Sequence, residues 1–213
     1  MIRGIIFDLD NTLYSAKYGL ERNMARRLLV FISEYLGLSL DDAAAARRQA
    51  LAKYGSSLAW LVQEKGFTDI EGYFAALHPP GEEADLPPDP QLRVFLENLP
   101  VPFAILTNSP REHADRVLAK LGVADLAAQI FDIRQNNMVG KPNPSAFQQV
   151  LEALGSSPEE TLFVDDYIPY VEGYVQIGGL GVLFDEDDEH PDAPYTRIRS
   201  LDEILSIIIL ESL

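Results

Sequence analysis

The sequence predicts an α/β protein with a doubly wound, mostly parallel sheet and an inserted domain made of helices. Two observations support this fold class. Short apolar segments alternate with amphipathic helical segments from residue 88 onward, a pattern that favours parallel strands joined by right-handed crossovers. Between the first apolar segment and this region lies a stretch with helical periodicity and few strand signals, which indicates an insertion.

The first strand is predicted at Gly4–Phe7, which leads directly into the segment Asp8-Leu9-Asp10-Asn11-Thr12. Side chains at i and i+2 of a strand point the same way, so Asp8 and Asp10 are expected to project together from its carboxyl end, where open α/β sheets bind ligands. Two carboxylates so close repel unless a cation lies between them, and their oxygens suit Mg²⁺, which completes its shell with water and phosphate oxygen. The alternative is a turn in which the same residues only satisfy local geometry.

The inserted stretch, residues 18–76, is predicted to contain four helices. Apolar residues repeat at helical spacing along the first helix, at Leu20, Met24, Leu28, Phe31 and Tyr35. Gly37 ends this helix, and a second one opens at Asp41 and ends at Tyr54. Two short helices follow over Ser57–Lys65 and Asp69–Leu77.

A segment rich in proline and acidic residues, residues 78–90, is typical of a linker. We therefore predict a core domain formed by residues 1–14 and 88–213. Residues 15–87 are predicted to form the inserted helical domain with its linkers, placed over the carboxyl end of the first strand.

The later elements follow the alternating pattern. They are predicted as a helix over Leu92–Leu99, a strand over Phe103–Leu106, a helix ending at Leu121, a strand over Gln129–Ile133, a helix over Ser145–Leu154, strands over Thr161–Val164 and Gly181–Phe184, and a terminal helix over Leu201–Leu210. Ser109 is predicted to cap the helix that ends at Leu121, with Pro110 at its first position.

Composition excludes several classes of function. The 213 residues include 17 basic and 33 acidic ones, a net charge of −16, which repels nucleic-acid polymers and anionic membranes. Cysteine is absent, which excludes disulfides and zinc–thiolate sites. The start Met1-Ile2-Arg3-Gly4 lacks the apolar region of a signal peptide, so we expect a cytoplasmic protein. We expect it to be a monomer or a homodimer.

Other polar residues also follow predicted strands. Thr107 offers a hydroxyl and Asn108 a backbone amide just before a helix N-terminus, where an anion is favoured, although these residues could instead only cap the helix. Lys141, between Gly140 and a proline, is placed to neutralise a phosphate oxygen, although a loop lysine is usually solvated. The pair Asp165-Asp166 repeats the arrangement after the first strand, and four carboxylates at one sheet edge require a cation.

These segments together resemble the motifs of the haloacid dehalogenase (HAD) superfamily. The resemblance implies a Rossmann-like core and a helical cap inserted after the first motif. It also implies roles for the matching residues: Asp8 as nucleophile, Asp10 as acid and base, Thr107, Asn108 and Lys141 as the phosphate site, and Asp8, the Asp10 carbonyl, Asp166 and Asp165 as Mg²⁺ ligands, Asp165 either directly or through water.

Within the superfamily, Asp10 favours phosphoryl chemistry, because the dehalogenases lack this aspartate and need no Mg²⁺. A phosphonate hydrolase would require a Schiff-base lysine from the cap. The candidates Lys17, Lys53 and Lys65 have charged or polar neighbours that give no indication of a lowered pKa.

The segments Asp10–Tyr14 and Lys53–Leu58 resemble the pyrimidine 5′-nucleotidase branch, in which Tyr54 would contact a nucleoside. Tyr54 could equally be a packing residue of its helix. Tyr167 and Tyr170 depart from the residues common in this branch, which predicts an aromatic site mouth.

The resemblance predicts a Mg²⁺-dependent phosphomonoesterase that acts on a small phosphorylated metabolite, with a nucleoside monophosphate as first choice. A sugar-phosphate or phosphoglycolate phosphatase, or a phosphomutase, is the alternative within the same fold. The alternative from another class is a non-catalytic phosphate-binding or scaffold protein.

Overall fold

A computed structural model describes residues 1–127 and 129–210. The chain divides into two compact units, one made of Met1–Tyr18 and Glu83–Leu213, here called the core unit, and one made of Gly19–Glu82, here called the helical unit. Among the described residues, no helix has both the length and the apolar character that crossing a bilayer requires.

The helical unit contains helices α1 to α4, over Leu20–Leu36, Leu40–Tyr54, Ser57–Lys65 and Ile70–Leu77. Their ends follow ordinary capping chemistry. Ser39, Ser56 and Asp69 accept backbone N–H groups at the starts of α2, α3 and α4, and Gly37 ends α1 in a left-handed conformation. The four helices predicted for this stretch are all present.

The core unit is built on a parallel sheet. Its described strands, β1 to β6, cover Gly4–Phe7, Phe103–Leu106, Ile130–Phe131, Thr161–Asp165, Leu180–Phe184 and Thr196–Ile198. Their order is β3-β2-β1-β4-β5-β6, and every neighbouring pair is parallel. The predicted doubly wound α/β fold is therefore confirmed, with β1 at the centre, where the strand order reverses.

Helices α5 to α9 of the core unit cover Pro90–Glu97, Arg111–Leu121, Pro144–Leu154, Ile168–Gln176 and Glu203–Leu210. One hydrophobic cluster of the core unit joins the sheet to two helices. Its fully buried members include Ile6 of β1, Phe163 of β4, Phe147 of α7 and Tyr174 of α8. Each such side chain contributes about 1.5–3 kcal/mol when it leaves water. The Tyr174 hydroxyl donates to the Thr161 carbonyl oxygen at 3.2 Å, so its polar end is satisfied inside this cluster.

Two elements were not predicted from the sequence, helix α8 and strand β6. Helix α8 contains Pro169 in its first turn and Gly173 in its interior, which weaken a helical signal. Gly173 is required by packing, because a Cβ there would lie 2.5 Å from the Pro142 Cβ. Strand β6 has three residues, of which only Ile198 is buried, so it shows no alternating pattern.

The predicted cap of α6 is wrong. This helix begins at Arg111 with Pro110 at the cap position, and no side chain there bonds the first turn. The Asp132 carboxylate accepts the Arg111 backbone N–H at 2.9 Å instead, so an acid after β3 stabilises the helix start. Ser109 points elsewhere, because its hydroxyl donates to Asp10 Oδ2 at 2.8 Å.

Candidate active site

Three strand ends bring the predicted site residues to one edge of the sheet. Asp8 follows β1 directly, Thr107 follows β2, and Asp165 is the last residue of β4. Phe7 of β1 pairs with Ile105 of β2 and with Val164 of β4, so these neighbouring strands are in register up to their carboxyl ends. The site therefore lies where open parallel sheets bind ligands.

Lys141 joins two of these ends through its ammonium group. Its Nζ donates to Asp8 Oδ1 at 2.5 Å and to Asp165 Oδ2 at 2.6 Å, and its side chain is 1% exposed. Nζ also lies 5.0 Å from the ring centre of Tyr170 and 5.4 Å from that of Phe163, within range of cation–π attraction. Lys141 is therefore not the solvated loop lysine of the alternative interpretation.

Burial and charge oppose one another in this cluster. Burial raises the pKa of Asp8 well above its usual range against the pull of Lys141, and burial likewise raises the pKa of Asp165. For the Lys141 ammonium, burial alone would lower the pKa, but the carboxylates of Asp165 and Asp8 more than offset it and the net shift is upward. Two buried acids thus share one ammonium. When both acids are ionised, their negative charge exceeds that of the single ammonium, so a further cation would be favoured here.

The backbone of Lys141 is held by the Asn108 side chain. Asn108 accepts the Lys141 N–H at 2.8 Å and donates to the Lys141 carbonyl at 3.0 Å, and it also donates to the Tyr170 hydroxyl at 3.0 Å. Gly140 permits this approach, because a Cβ there would lie 2.2 Å from Asn108 Oδ1. The sequence suggested only the backbone amide of Asn108, so this clamp was missed.

Oxygen ligands for a cation are also assembled here. Asp8, Asp165 and Asp166 each offer a carboxylate oxygen, and these oxygens lie within 4.8 Å of one another. Asn11, in a left-handed conformation with φ of 59°, donates to Asp166 Oδ2 at 3.3 Å, so the turn after β1 also orients an acid. Three clustered carboxylates, of which Asp8 and Asp165 have raised pKa values, fit a hard divalent cation such as Mg²⁺.

Asp10 has a different environment. Its Oδ1 accepts a hydrogen bond from the Tyr14 hydroxyl at 2.5 Å, and its Oδ2 accepts one from the Ser109 hydroxyl at 2.8 Å. His113 Nε2 lies 2.7 Å from Oδ1 and donates to it when that nitrogen carries the proton. Sequence reasoning found none of these three donors. His113 lies 103 positions further along the chain, and no local pattern connects it to Asp10.

Thr107 is 1% exposed, and its Oγ1 accepts the Ser109 backbone N–H at 3.0 Å. This contact forms a local turn before α6 and is not the helix cap of the alternative interpretation, because no side chain at the cap position bonds the start of α6. A hydroxyl that accepts one hydrogen bond can still donate its proton, so this turn does not prevent Thr107 from binding a phosphoryl oxygen.

Tyr54, the predicted specificity residue, is the last residue of α2 in the helical unit. Its hydroxyl donates to Glu64 at 2.6 Å, and Lys53 Nζ lies 4.7 Å from its ring centre. Hydrogen bonds from Lys65 and Tyr54 lower the pKa of Glu64 to about 2. Tyr54 is half-buried, an environment compatible both with base stacking and with packing.

Two of the candidate Schiff-base lysines, Lys17 and Lys53, have a raised pKa, whereas such chemistry needs a lowered one. Hydrogen bonds to Glu186 and Asp187 raise the pKa of Lys17, and a hydrogen bond with Tyr54 raises the pKa of Lys53. Both lysines therefore lack the property that would favour phosphonate hydrolysis.

Comparison with known proteins identifies the family. A model of haloacid dehalogenase-like hydrolases matches residues 2–173, which include every predicted site residue. The chain belongs to the haloacid dehalogenase-like hydrolase family. The predicted superfamily is thus confirmed, and the HAD fold is also seen in a haloacid dehalogenase-like protein from Agrobacterium tumefaciens, with a TM-score of 0.67, 18% identity and coverage of 100% of both chains.

Three curated relatives are similar to this HAD chain over most of its length. Phosphate metabolism protein 8 of Saccharomyces cerevisiae is 29% identical over 81% of this chain, which spans 58% of that protein's length. The phosphoglycolate phosphatase of Yersinia pseudotuberculosis is 28% identical over 78% of this chain and 73% of its own. Hexitol phosphatase A of Escherichia coli is 31% identical, with 77% and 74% covered.

Proposed function

We propose that this HAD-family chain is a Mg²⁺-dependent phosphomonoesterase that forms an aspartyl-phosphate on Asp8. The observation that carries the proposal is the cluster in which Lys141 Nζ contacts Asp8 and Asp165, and in which an Asp166 carboxylate oxygen lies within 4.8 Å of an oxygen of each of these acids. The names of two curated relatives support phosphate ester hydrolysis.

The first step transfers the phosphoryl group to the protein. Asp8 attacks phosphorus and forms a new P–O bond, while the bond to the leaving oxygen breaks and its electron pair moves onto that oxygen. Asp10, as a carboxylic acid, gives its proton to the leaving oxygen and becomes a carboxylate. The leaving alcohol and an aspartyl-phosphate are the products of this step.

The second step hydrolyses the intermediate. The Asp10 carboxylate takes a proton from water as the water oxygen attacks phosphorus, the P–O bond to Asp8 breaks, and phosphate leaves with Asp8 restored. Thr107 and Lys141 bind the phosphoryl oxygens in both steps, where positioning and neutralisation of charge provide most of the rate.

A bound Mg²⁺ would be held by Asp8, Asp166 and Asp165, and by the backbone carbonyl of Asp10. It supplies positive charge that offsets the phosphoryl oxygens and the clustered carboxylates. The upward pKa shifts of Asp8 and Asp165 support this assignment, because a cation favours the ionised form that burial disfavours.

The substrate is proposed to be a small phosphorylated metabolite. The sequence resemblance around Tyr54 supports a nucleoside monophosphate as the substrate. The names of the relatives that are phosphoglycolate and hexitol phosphatases instead support a small polyol phosphate or acid phosphate. We propose further that the helical unit acts as a cap that selects the leaving group, with the core unit performing phosphoryl transfer.

A phosphate-release assay across nucleoside monophosphates, polyol phosphates and phosphoglycolate, with and without Mg²⁺, tests this proposal. We expect Mg²⁺-dependent turnover of at least one class. Absence of turnover with every phosphomonoester, p-nitrophenyl phosphate included, would instead support a phosphate-binding or scaffold protein. Release of phosphate to water rather than to a second sugar oxygen separates a phosphatase from a mutase.

Tyr54→Ala tests the nucleotide branch of the proposal. If a base stacks on Tyr54, activity on nucleoside monophosphates should fall about tenfold, a loss consistent with about 1–3 kcal/mol per stacked base. Activity on p-nitrophenyl phosphate should change little, because its small leaving group needs few contacts. An equal loss on both substrates would show that Tyr54 only packs its helix.

A further inference from the structure

The carboxylate of Asp10 is fixed through both of its oxygens by side chains from two parts of the core unit. Tyr14, from the turn after β1, donates to Oδ1, and Ser109, from the loop after β2, donates to Oδ2. His113 approaches Oδ1 from the first turn of α6 with its Nε2 at 2.7 Å. A carboxylate held at both oxygens cannot rotate about its terminal bond without losing hydrogen bonds.

The three donors are not equivalent. The hydroxyls of Tyr14 and Ser109 can rotate, so each can donate to a carboxylate or accept from a carboxylic acid. An imidazole N–H has a fixed direction and only donates. When Asp10 is a carboxylate its oxygens have no proton to give, so a hydrogen bond at this 2.7 Å contact requires a proton on Nε2. In that state Oδ1 of Asp10 receives a donor that cannot be reversed.

The start of α6 is arranged in a way that supports the contact between His113 and Asp10. The sequence predicts Ser109 as the cap of α6, but Pro110 stands at the cap position and the Ser109 hydroxyl donates to Asp10 instead. Asp132 accepts the Arg111 N–H at the start of the helix. This arrangement starts α6 so that His113 lies in its first turn and is 2% exposed. A broken local rule with a substitute elsewhere is typical of a functional position.

We propose that His113 is a positioning residue that holds Oδ1 of Asp10 and thereby assigns proton exchange with the leaving group to Oδ2. This inference rests on the proposed function, in which Asp10 protonates the leaving oxygen. His113 does not touch the substrate in this account, and its effect passes through the orientation of Asp10.

Two variants isolate the N–H donor. His113→Phe keeps a planar ring but removes the donor, and His113→Gln keeps a side-chain N–H at a similar reach. Each is assayed on p-nitrophenyl phosphate, whose leaving group is stable as an anion, and on the alkyl phosphomonoester that the wild type hydrolyses fastest. Glu112→Gln, on the same helical turn with an exposed side chain, is the matched control.

An anion that leaves readily needs little help from an acid, so the two substrates should respond differently. For His113→Phe we expect kcat on the alkyl ester to fall about 100-fold and kcat on p-nitrophenyl phosphate to fall less than about threefold, with both KM values nearly unchanged. His113→Gln should restore most of the alkyl activity. Equal losses on both substrates, or no loss on either, would overturn the proposal.

A measurement without turnover completes the test. Nitrogen-detected NMR of the wild-type protein should show His113 protonated at Nε2, and Asp10→Ala should shift that resonance, whereas Glu112→Gln should not. An Nε2 without a proton would overturn the proposal even if the enzyme is active. A protein that lacks phosphatase activity but shows the expected Nε2 signal would instead contradict the proposed function and leave the hydrogen-bond assignment intact.

Discussion

Asp8 and Asp10 are two residues apart but have contrasting surroundings. Asp8 lies in a charged cluster, bonded to the Lys141 ammonium and close to Asp165 and Asp166. Asp10 lies among directional donors, with two hydroxyls and an imidazole N–H around its carboxylate. Asp8 is therefore held mainly by charge, and Asp10 by hydrogen bonds to both of its carboxylate oxygens.

This difference explains how two adjacent carboxylates can take separate roles. A nucleophile must stay ionised and benefits from cations, whereas an acid and base must exchange a proton and benefits from a fixed orientation. Environments that distinguish neighbouring titratable groups are a common basis for acid and base assignments in enzymes.

The largest effect is expected from Asp8→Asn. The carboxamide fills the same volume but cannot act as an anionic nucleophile, so turnover should fall on the order of 10⁴-fold or more while the fold is kept. Steady-state phosphate release and circular dichroism measure the two quantities, with the exposed Asp202→Asn as control. Appreciable activity in a clean preparation would remove Asp8 from the nucleophile role.

Lys141→Met should lower the free energy of unfolding by about 3–5 kcal/mol at neutral pH, because it leaves buried carboxylates without their ammonium. The loss should depend on pH in a defined direction. Asp8 and Asp165 have raised pKa values in the folded protein. Their ionisation therefore lowers the free energy of unfolding, and it does so only where the pH exceeds the pKa values that the same groups have in the unfolded chain.

The stability difference between Lys141→Met and the wild type should therefore be small in acid and grow as pH rises. Denaturant melts in metal-free buffer from about pH 5 to about pH 8 measure it. Lys120→Met, on α6 outside the cluster, is the control. A difference that does not change with pH would show that the charge cluster does not stabilise the fold as described.

Asp166→Ala should raise the Mg²⁺ concentration for half-maximal activity by about tenfold or more, while kcat at saturating Mg²⁺ falls less. In metal-free buffer the variant should be as stable as the wild type or more stable, because one of the crowded acids is gone. Titration of activity with Mg²⁺ gives the first result and thermal melts give the second. An unchanged Mg²⁺ requirement would assign Asp166 a structural role.

The smallest effect is expected from Ser109→Ala. It removes one of the donors around Asp10, and His113 still holds Oδ1, so kcat on an alkyl phosphomonoester should fall about threefold to tenfold. The effect on p-nitrophenyl phosphate should be smaller. A loss larger than that of His113→Phe would reverse the order of importance proposed for the two donors.

Sequence patterns were sufficient for features that depend on local order. The strand β1, its two acids and the alternation of strands and helices follow from runs of apolar residues that end in polar ones. Because parallel strands share one carboxyl edge, the same patterns also predicted that Asp8, Thr107 and Asp165 would lie together. Their proposed roles in catalysis remain predictions.

Other features depend on packing between distant segments. Gly173 disrupts the helical signal of α8, yet it is needed because Pro142 approaches its backbone. The contact between His113 and Asp10 depends on where α6 begins, which is set by Asp132 after the next strand. Such features arise from the three-dimensional arrangement and leave no periodic pattern.

A burst experiment tests the separation of roles between Asp8 and Asp10 most directly. Asp10→Asn should still transfer a phosphoryl group from p-nitrophenyl phosphate, because this leaving group needs little protonation, but it should not hydrolyse the intermediate quickly. Rapid mixing should therefore release about one equivalent of p-nitrophenolate per protein chain, followed by a slow phase, and the trapped phosphoryl group should map to Asp8. Asp8→Asn should give no burst. A burst that persists without Asp8, or a phosphoryl group on another residue, would contradict the account.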